Sequence, residues 1–158
     1  MTPIGAIEAS AWGVAMREPG WLPTAILTVH LVGVAALASS IAIVDTRLLG
    51  FWRRTSVRRL AACLLPVTAV SFLLIVPSGL LMFVAHASEL IDSGVFALKM
   101  GLIFAAGVNA AVFHAGAFRG AAAWDVARRP PRAAQLAAAF SLALWSAVIT
   151  CGVLLPVP

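Results

Sequence analysis

Four long stretches of the chain are almost free of charge: Leu22–Val44, Leu60–Ala85, Phe96–Phe118 and Ala133–Leu155. Each reaches the roughly 20 apolar residues that a helix needs to cross a bilayer. None alternates with the period-two pattern of a membrane strand. A lone strand leaves its backbone groups unsatisfied in lipid, whereas a helix satisfies them internally, so the pattern predicts four spanning helices. The expected fold is all-α, an integral membrane four-helix up-down bundle forming one membrane domain over residues 1–158. Ahead of the first span, Ile4, Ile7, Ala11, Trp12 and Met16 fall near helical spacing. That stretch, Ile4–Arg17, is too short and too charged to cross and predicts an N-terminal interfacial helix ending at Pro19-Gly20; a frayed terminus is the alternative.

Composition sharpens the picture. Apolar residues make up 62% of the 158 and charged ones 11%, too few polar groups to cover a soluble body of this size. Nine of the eleven cations (Arg47, Arg53, Arg54, Arg58, Arg59, Arg119, Arg128, Arg129 and Arg132) lie in or beside the two loops joining spans one to two and three to four. Cytoplasmic loops carry such an excess, which predicts a multi-pass protein of the bacterial cytoplasmic (inner) membrane with periplasmic N and C termini. Anionic lipid headgroups are then the partner of these arginines, and the net charge of +5 calls for no nucleic acid. Trp12 and Trp21 at one boundary, and Trp52 and Trp124 at the other, fit an aromatic belt. Cys63 and Cys151 fall near opposite ends of their spans and are not expected to bridge.

Polar groups placed inside a membrane cost energy, so they mark candidate function. An outer level collects His30, Met82, His86, Lys99 and Met100 from three spans. Imidazole pairs hold haem iron, as His/Met pairs do, while imidazole and thioether together suit copper. Ordinary core packing explains the methionines equally well. An inner level holds Asp45, Arg47, Asn109 and His114, expected either to pin two helix ends as a polar cluster or to form a proton relay. Met100, Gly107 and His114, seven apart, form one stripe expected to face the bundle. Small residues at four-residue spacing, Ala35/Ser39, Gly101/Ala105/Asn109 and Gly116/Gly120, permit close helix contact and oligomers. No H-E-x-x-H, C-x-x-C, P-loop or G-x-G-x-x-G arrangement occurs.

The stretch from His30 through Asp45-Thr46-Arg47-Leu48-Leu49-Gly50 resembles a family of small bacterial four-span membrane proteins, in which a span-one histidine precedes a D-x-R-L-L-G run. Ser78-Gly79-Leu80-Leu81-Met82-Phe83, Phe96-Ala97-Leu98-Lys99, Asn109 and Phe113-His114 are similar to later elements of that family. More distantly, the architecture is similar to four-helix b-type cytochromes and copper-resistance D proteins. These resemblances imply transmembrane electron transfer or copper handling. Three histidines suffice for at most one bis-histidine haem. The leading expectation is a b-type haem electron carrier or redox-complex subunit, serving a partner subunit or quinone. His30 and His86 would be its axial ligands, with His114 as a further cofactor contact, and Lys99 would pair with a propionate. The alternatives are a copper protein using His30, Met82, His86 and Met100, and a cofactor-free accessory subunit.

Overall fold

A computed structural model of the chain describes residues 2–155. Two short helices, α1 (Pro3–Glu8) and α2 (Ala11–Arg17), precede the first span, α3 (Trp21–Leu48). The second span, α4 (Val57–Ala85), continues through His86 into the short α5 (Ala87–Asp92). The third, α6 (Gly94–Ala115), passes into a 3-10 segment, Ala117–Ala123, and the last is α7 (Arg132–Leu154). The four long helices are long and apolar enough to cross a membrane. This is an all-α, four-span, multi-pass membrane protein.

The spans are arranged in the order α4, α3, α7, α6. No Cα of α4 lies within 8 Å of one in α6, and the two helices touch through Phe83 stacked on Phe96, with ring centroids 5.7 Å apart, at the end remote from the arginines. The tightest seam is α3 on α4, and its sequence basis is a seven-residue repeat. On α4 the repeat runs through the buried Val57, Ser71, Ser78 and Ala85, and on α3 through Gly33, Ser40 and Arg47, with Leu37 between. Such a repeat keeps one stripe facing an antiparallel partner. The stripe is built of small and hydroxyl residues, which let backbones approach in lipid. A Cβ on Gly33 would stand only 2.9 Å from Ile75 Cγ1 and 3.3 Å from Leu74 Cβ. Ser40 Oγ lies 3.1 Å from Thr68 Oγ1 across the seam. The four-spaced small residues are not the seam: Ala35, Ser39 and Gly101 are all exposed, and only Asn109, whose Nδ2 donates to Ala137 O on α7 at 2.9 Å, bridges two spans.

The arginine-rich end is closed by a polar knot. Arg47, fully buried, donates through Nε to Thr55 O at 2.7 Å and through Nη2 to Asp125 O at 2.9 Å and Arg53 O at 3.3 Å. Asp125 in turn caps α4, accepting from Arg58 N (2.9 Å) and Ser56 Oγ (2.8 Å). These bonds hold its carboxyl below the usual carboxylate range, the backbone N–H of Arg58 contributing most. Ala127 N donates to Arg53 O at 2.7 Å, which helps hold the left-handed backbone at Ala127 (φ 61°). Beneath the knot lies a core of Leu48, Val57, Phe113, Trp124 and Ala134. Trp124, expected in the interfacial belt, is a core plug instead, only 9% exposed. Its neighbour Asp125 is tied to α4, which draws the ring inward.

At the opposite end the expected single interfacial helix over Ile4–Arg17 is two helices. Ser10 starts the second, its Oγ accepting from Gly13 N at 3.2 Å, because a serine hydroxyl competes for backbone N–H groups and favours a helix start. Gly13 is required at the fold-back: a Cβ there would collide with Glu8 O. Arg17 pins the pair, donating to Glu8 O at 2.7 Å and to Ala85 O at 2.8 Å. Glu8 accepts from Ser88 N and Ser88 Oγ, both at 2.7 Å, at the start of α5.

Candidate functional site

His30 lies two to three turns into α3, facing the seam opposite Ser78 and Gly79. Its Nδ1 is 3.0 Å from Ser78 Oγ. Ser78 Oγ also stands within hydrogen-bonding distance of the Leu74 and Ile75 carbonyls one turn back. With its hydroxyl proton on either carbonyl, Ser78 Oγ accepts from Nδ1, and that arrangement leaves Nε2 as the ring's ligating atom. A histidine ligand to a metal is commonly held this way, its other N–H tied to the protein. Gly79 makes room for the ring, since a Cβ there would stand 3.2 Å from His30 Cε1.

Lys99 of α6 is half-buried in the same part of the bundle. It reaches α7 beside Gly152, next to the buried Cys151. A Cβ on Gly152 would sit 3.5 Å from Lys99 Nζ. Thus α3 supplies an imidazole, α4 its hydrogen-bond acceptor, α6 an ammonium and α7 a buried thiol and a glycine gap. Gly79 on α4 and Gly152 on α7 are what give the two basic side chains themselves their room.

The other expected members are elsewhere. His86 ends α4, eight residues beyond Ser78 and hence about 12 Å farther along the axis. It sits beside Glu8, whose carboxyl is held low by its hydrogen bonds to Ser88, with Arg17 and His86 adding smaller effects. His30 and His86 therefore do not form one axial pair: α3 and α4 are closed on each other between them. Met82 is half-buried, but Met100 is 49% exposed and turned away from the bundle. Its stripe-mates Gly107 and His114 are exposed as well, so that stripe faces outward. The physical reason is that α6 buries only a narrow face, including Ala106 and Phe113, against its neighbours. His114 Nδ1 donates to Ala110 O at 2.8 Å, and its ring packs on Phe113 and Phe118.

The inner polar cluster is not assembled either. Arg47 serves backbone carbonyls, His114 lies outside the bundle, and Asp45, 6% exposed, turns to Ser141 of α7. Asp45 Oδ2 and Arg47 Nη1 are buried without partners. Among the described residues no three His, Cys, Asp or Glu side chains converge as a metal cage. Cys63 and Cys151 are both free thiols. Sequence reasoning passed over Ser78 and Cys151 as site residues; the seven-residue repeat through Ser71 and Ser78 was the signal for the first.

The spans bring one imidazole, His30, and one ammonium, Lys99, to the same part of the bundle, without His86 or Met100 beside them. The bis-imidazole set does not fit, and neither does a copper set that includes Met100. No family model, curated protein or solved structure matches the chain.

Proposed function

We propose that this chain is a membrane haem-binding redox protein, or the haem-binding subunit of a redox complex, with His30 as its one axial imidazole. The observation that carries the reading is the anchoring of His30: its Nδ1 lies 3.0 Å from Ser78 Oγ, so that with Nδ1 as the donor Nε2 is left to ligate iron. Lys99 would receive a propionate, an anion being the natural partner for an ammonium in a low-dielectric setting. Bound haem b would supply one-electron chemistry at its iron. Ser78 holds the imidazole plane, Gly79 and Gly152 keep side-chain bulk away from the two basic groups, and the apolar spans exclude water. The basic loops support a topology with the arginine-rich end in the cytoplasm and both termini in the periplasm of a bacterial inner membrane.

The test is the reduced-minus-oxidised absorption spectrum of purified protein made with adequate haem. One b-type band is expected, lost in His30→Ala and retained in His86→Ala. Protein without such a band, or an unchanged band in His30→Ala, overturns the proposal. A cofactor-free accessory subunit is the second reading, and the wide exposed face of α6 favours it. A stoichiometric partner co-purifying with colourless protein would support that one.

A further inference from the structure

Between the first turns of α4 and the last turn of α6 lies a cleft of about 540 Å³, a size that takes a small-molecule ligand. It exists because the α4 and α6 backbones stay more than 8 Å apart and their contact through Phe83 and Phe96 lies at the other end of the spans. Its rim is polar and its floor apolar. At the rim stand Arg58 and Arg59, both exposed, with His114 opposite. The His114 Nδ1 proton is given to the Ala110 carbonyl, which can only accept, so Nε2 is the free ring atom. The rim also contains a carboxylate, Asp125, but both of its oxygens are already bonded, to Ser56 Oγ and Arg58 N. Ser56 Oγ is likewise occupied, accepting from Arg59 N at 3.1 Å. The two guanidinium groups therefore outnumber the single, internally satisfied acid. Deeper in, Ala61, Ala62, Leu65 and Phe118 form apolar walls along the start of the span.

A ligand matching this cleft is anionic at one end and hydrocarbon at the other, and it approaches from within the membrane. We propose that the cleft binds one acidic phospholipid, its phosphate on Arg58 and Arg59 and an acyl chain lying in the gap between α4 and α6. Two guanidinium groups offer charge-assisted bonds that a zwitterionic headgroup satisfies less well. Small Ala61 and Ala62 leave the slot open where larger side chains would close it. This inference is independent of the haem reading, because it concerns the opposite end of the spans.

Native mass spectrometry of detergent-purified, delipidated full-length protein tests it, by titration with phosphatidylglycerol and, separately, phosphatidylcholine. One phosphatidylglycerol is expected to be retained at least tenfold more strongly than phosphatidylcholine. Arg58→Gln/Arg59→Gln should abolish that preference. Arg128→Gln/Arg129→Gln, two exposed arginines at the same end but outside the cleft, should keep it. Ala62→Trp fills the slot with the charges intact and should also weaken retention. Equal retention of the two lipids, equal loss in both double variants, or full retention in Ala62→Trp would each overturn the site.

Discussion

Arg47 has no exposed surface, yet it carries a charge at the end of a spanning helix. Its replacement by methionine keeps most of the volume and removes the donors. Two of its three bonds are short, to Thr55 O at 2.7 Å and Asp125 O at 2.9 Å; the third, to Arg53 O, is 3.3 Å and weak. Hydrogen bonds to charged groups contribute about 1.5–3 kcal/mol each, so the two good ones amount to roughly 3–6 kcal/mol. Against this stands the buried Nη1, which has no partner; leaving such a group unsatisfied costs about 1–3 kcal/mol, a cost that methionine relieves. The net expectation for Arg47→Met is a loss of about 3 kcal/mol. At roughly 2–4 °C per kcal/mol for a chain of this size, the thermal midpoint should fall by about 6–12 °C. Far-ultraviolet circular dichroism during heating in mild detergent measures it, with Arg54→Met as the exposed control. A fall of under 2 °C, or one no larger than in the control, would show that the knot does not hold α3 to the loop before α7.

Three further outcomes follow from the packing. Gly33→Leu should push α3 away from Ile75 and Leu74 and destabilise by about 1–3 kcal/mol, read as a lower midpoint in the same heating experiment, whereas Gly101→Leu, with open space around it, should change little. Asn109→Leu removes the bond to Ala137 O that joins α6 to α7; membrane hydrogen bonds of this kind contribute about 0.6–2 kcal/mol, so a small but measurable fall is expected and a gain in stability would contradict the assignment. Glu8 has a native pKa below its ordinary 4.5, chiefly through its bonds to Ser88, so its contribution is complete above about pH 4.5 and is lost as pH falls through the lower native value. The protection factor of Ser88 N, its exchange relative to an unstructured amide at the same pH, should therefore fall on acidification in the native chain and be low and flat with pH in Glu8→Gln; an acid-sensitive protection factor in that variant would point to another group.

Much of the candidate site was legible as residue types and little of it as partnerships. Hydropathy places His30 and Lys99 in spans one and three, and the reversal of chain direction puts them in the same half of the membrane. Seven-residue spacing makes Met100, Gly107 and His114 a stripe, but spacing is indifferent to direction, and that stripe faces outward. Depth along a helix likewise says nothing of azimuth. His86 and His30 belong to the same outer half, yet about eight residues of α4 separate the level of one from that of the other.

What the chain determined alone is its relation to the bilayer. Four long apolar runs leave no other way to satisfy their backbone groups in lipid, and nine of the eleven cations gather at one end of the spans whatever the packing. Only the folded arrangement decided which small residues are seam and which are surface, that Trp124 plugs the core, that the α4 and α6 backbones stand apart, and that Ser78 faces His30 across the seam. The reason is that solvent preference is a property of each segment, whereas the rotation of one helix against another depends on where two particular surfaces interlock, which becomes definite only when both are present.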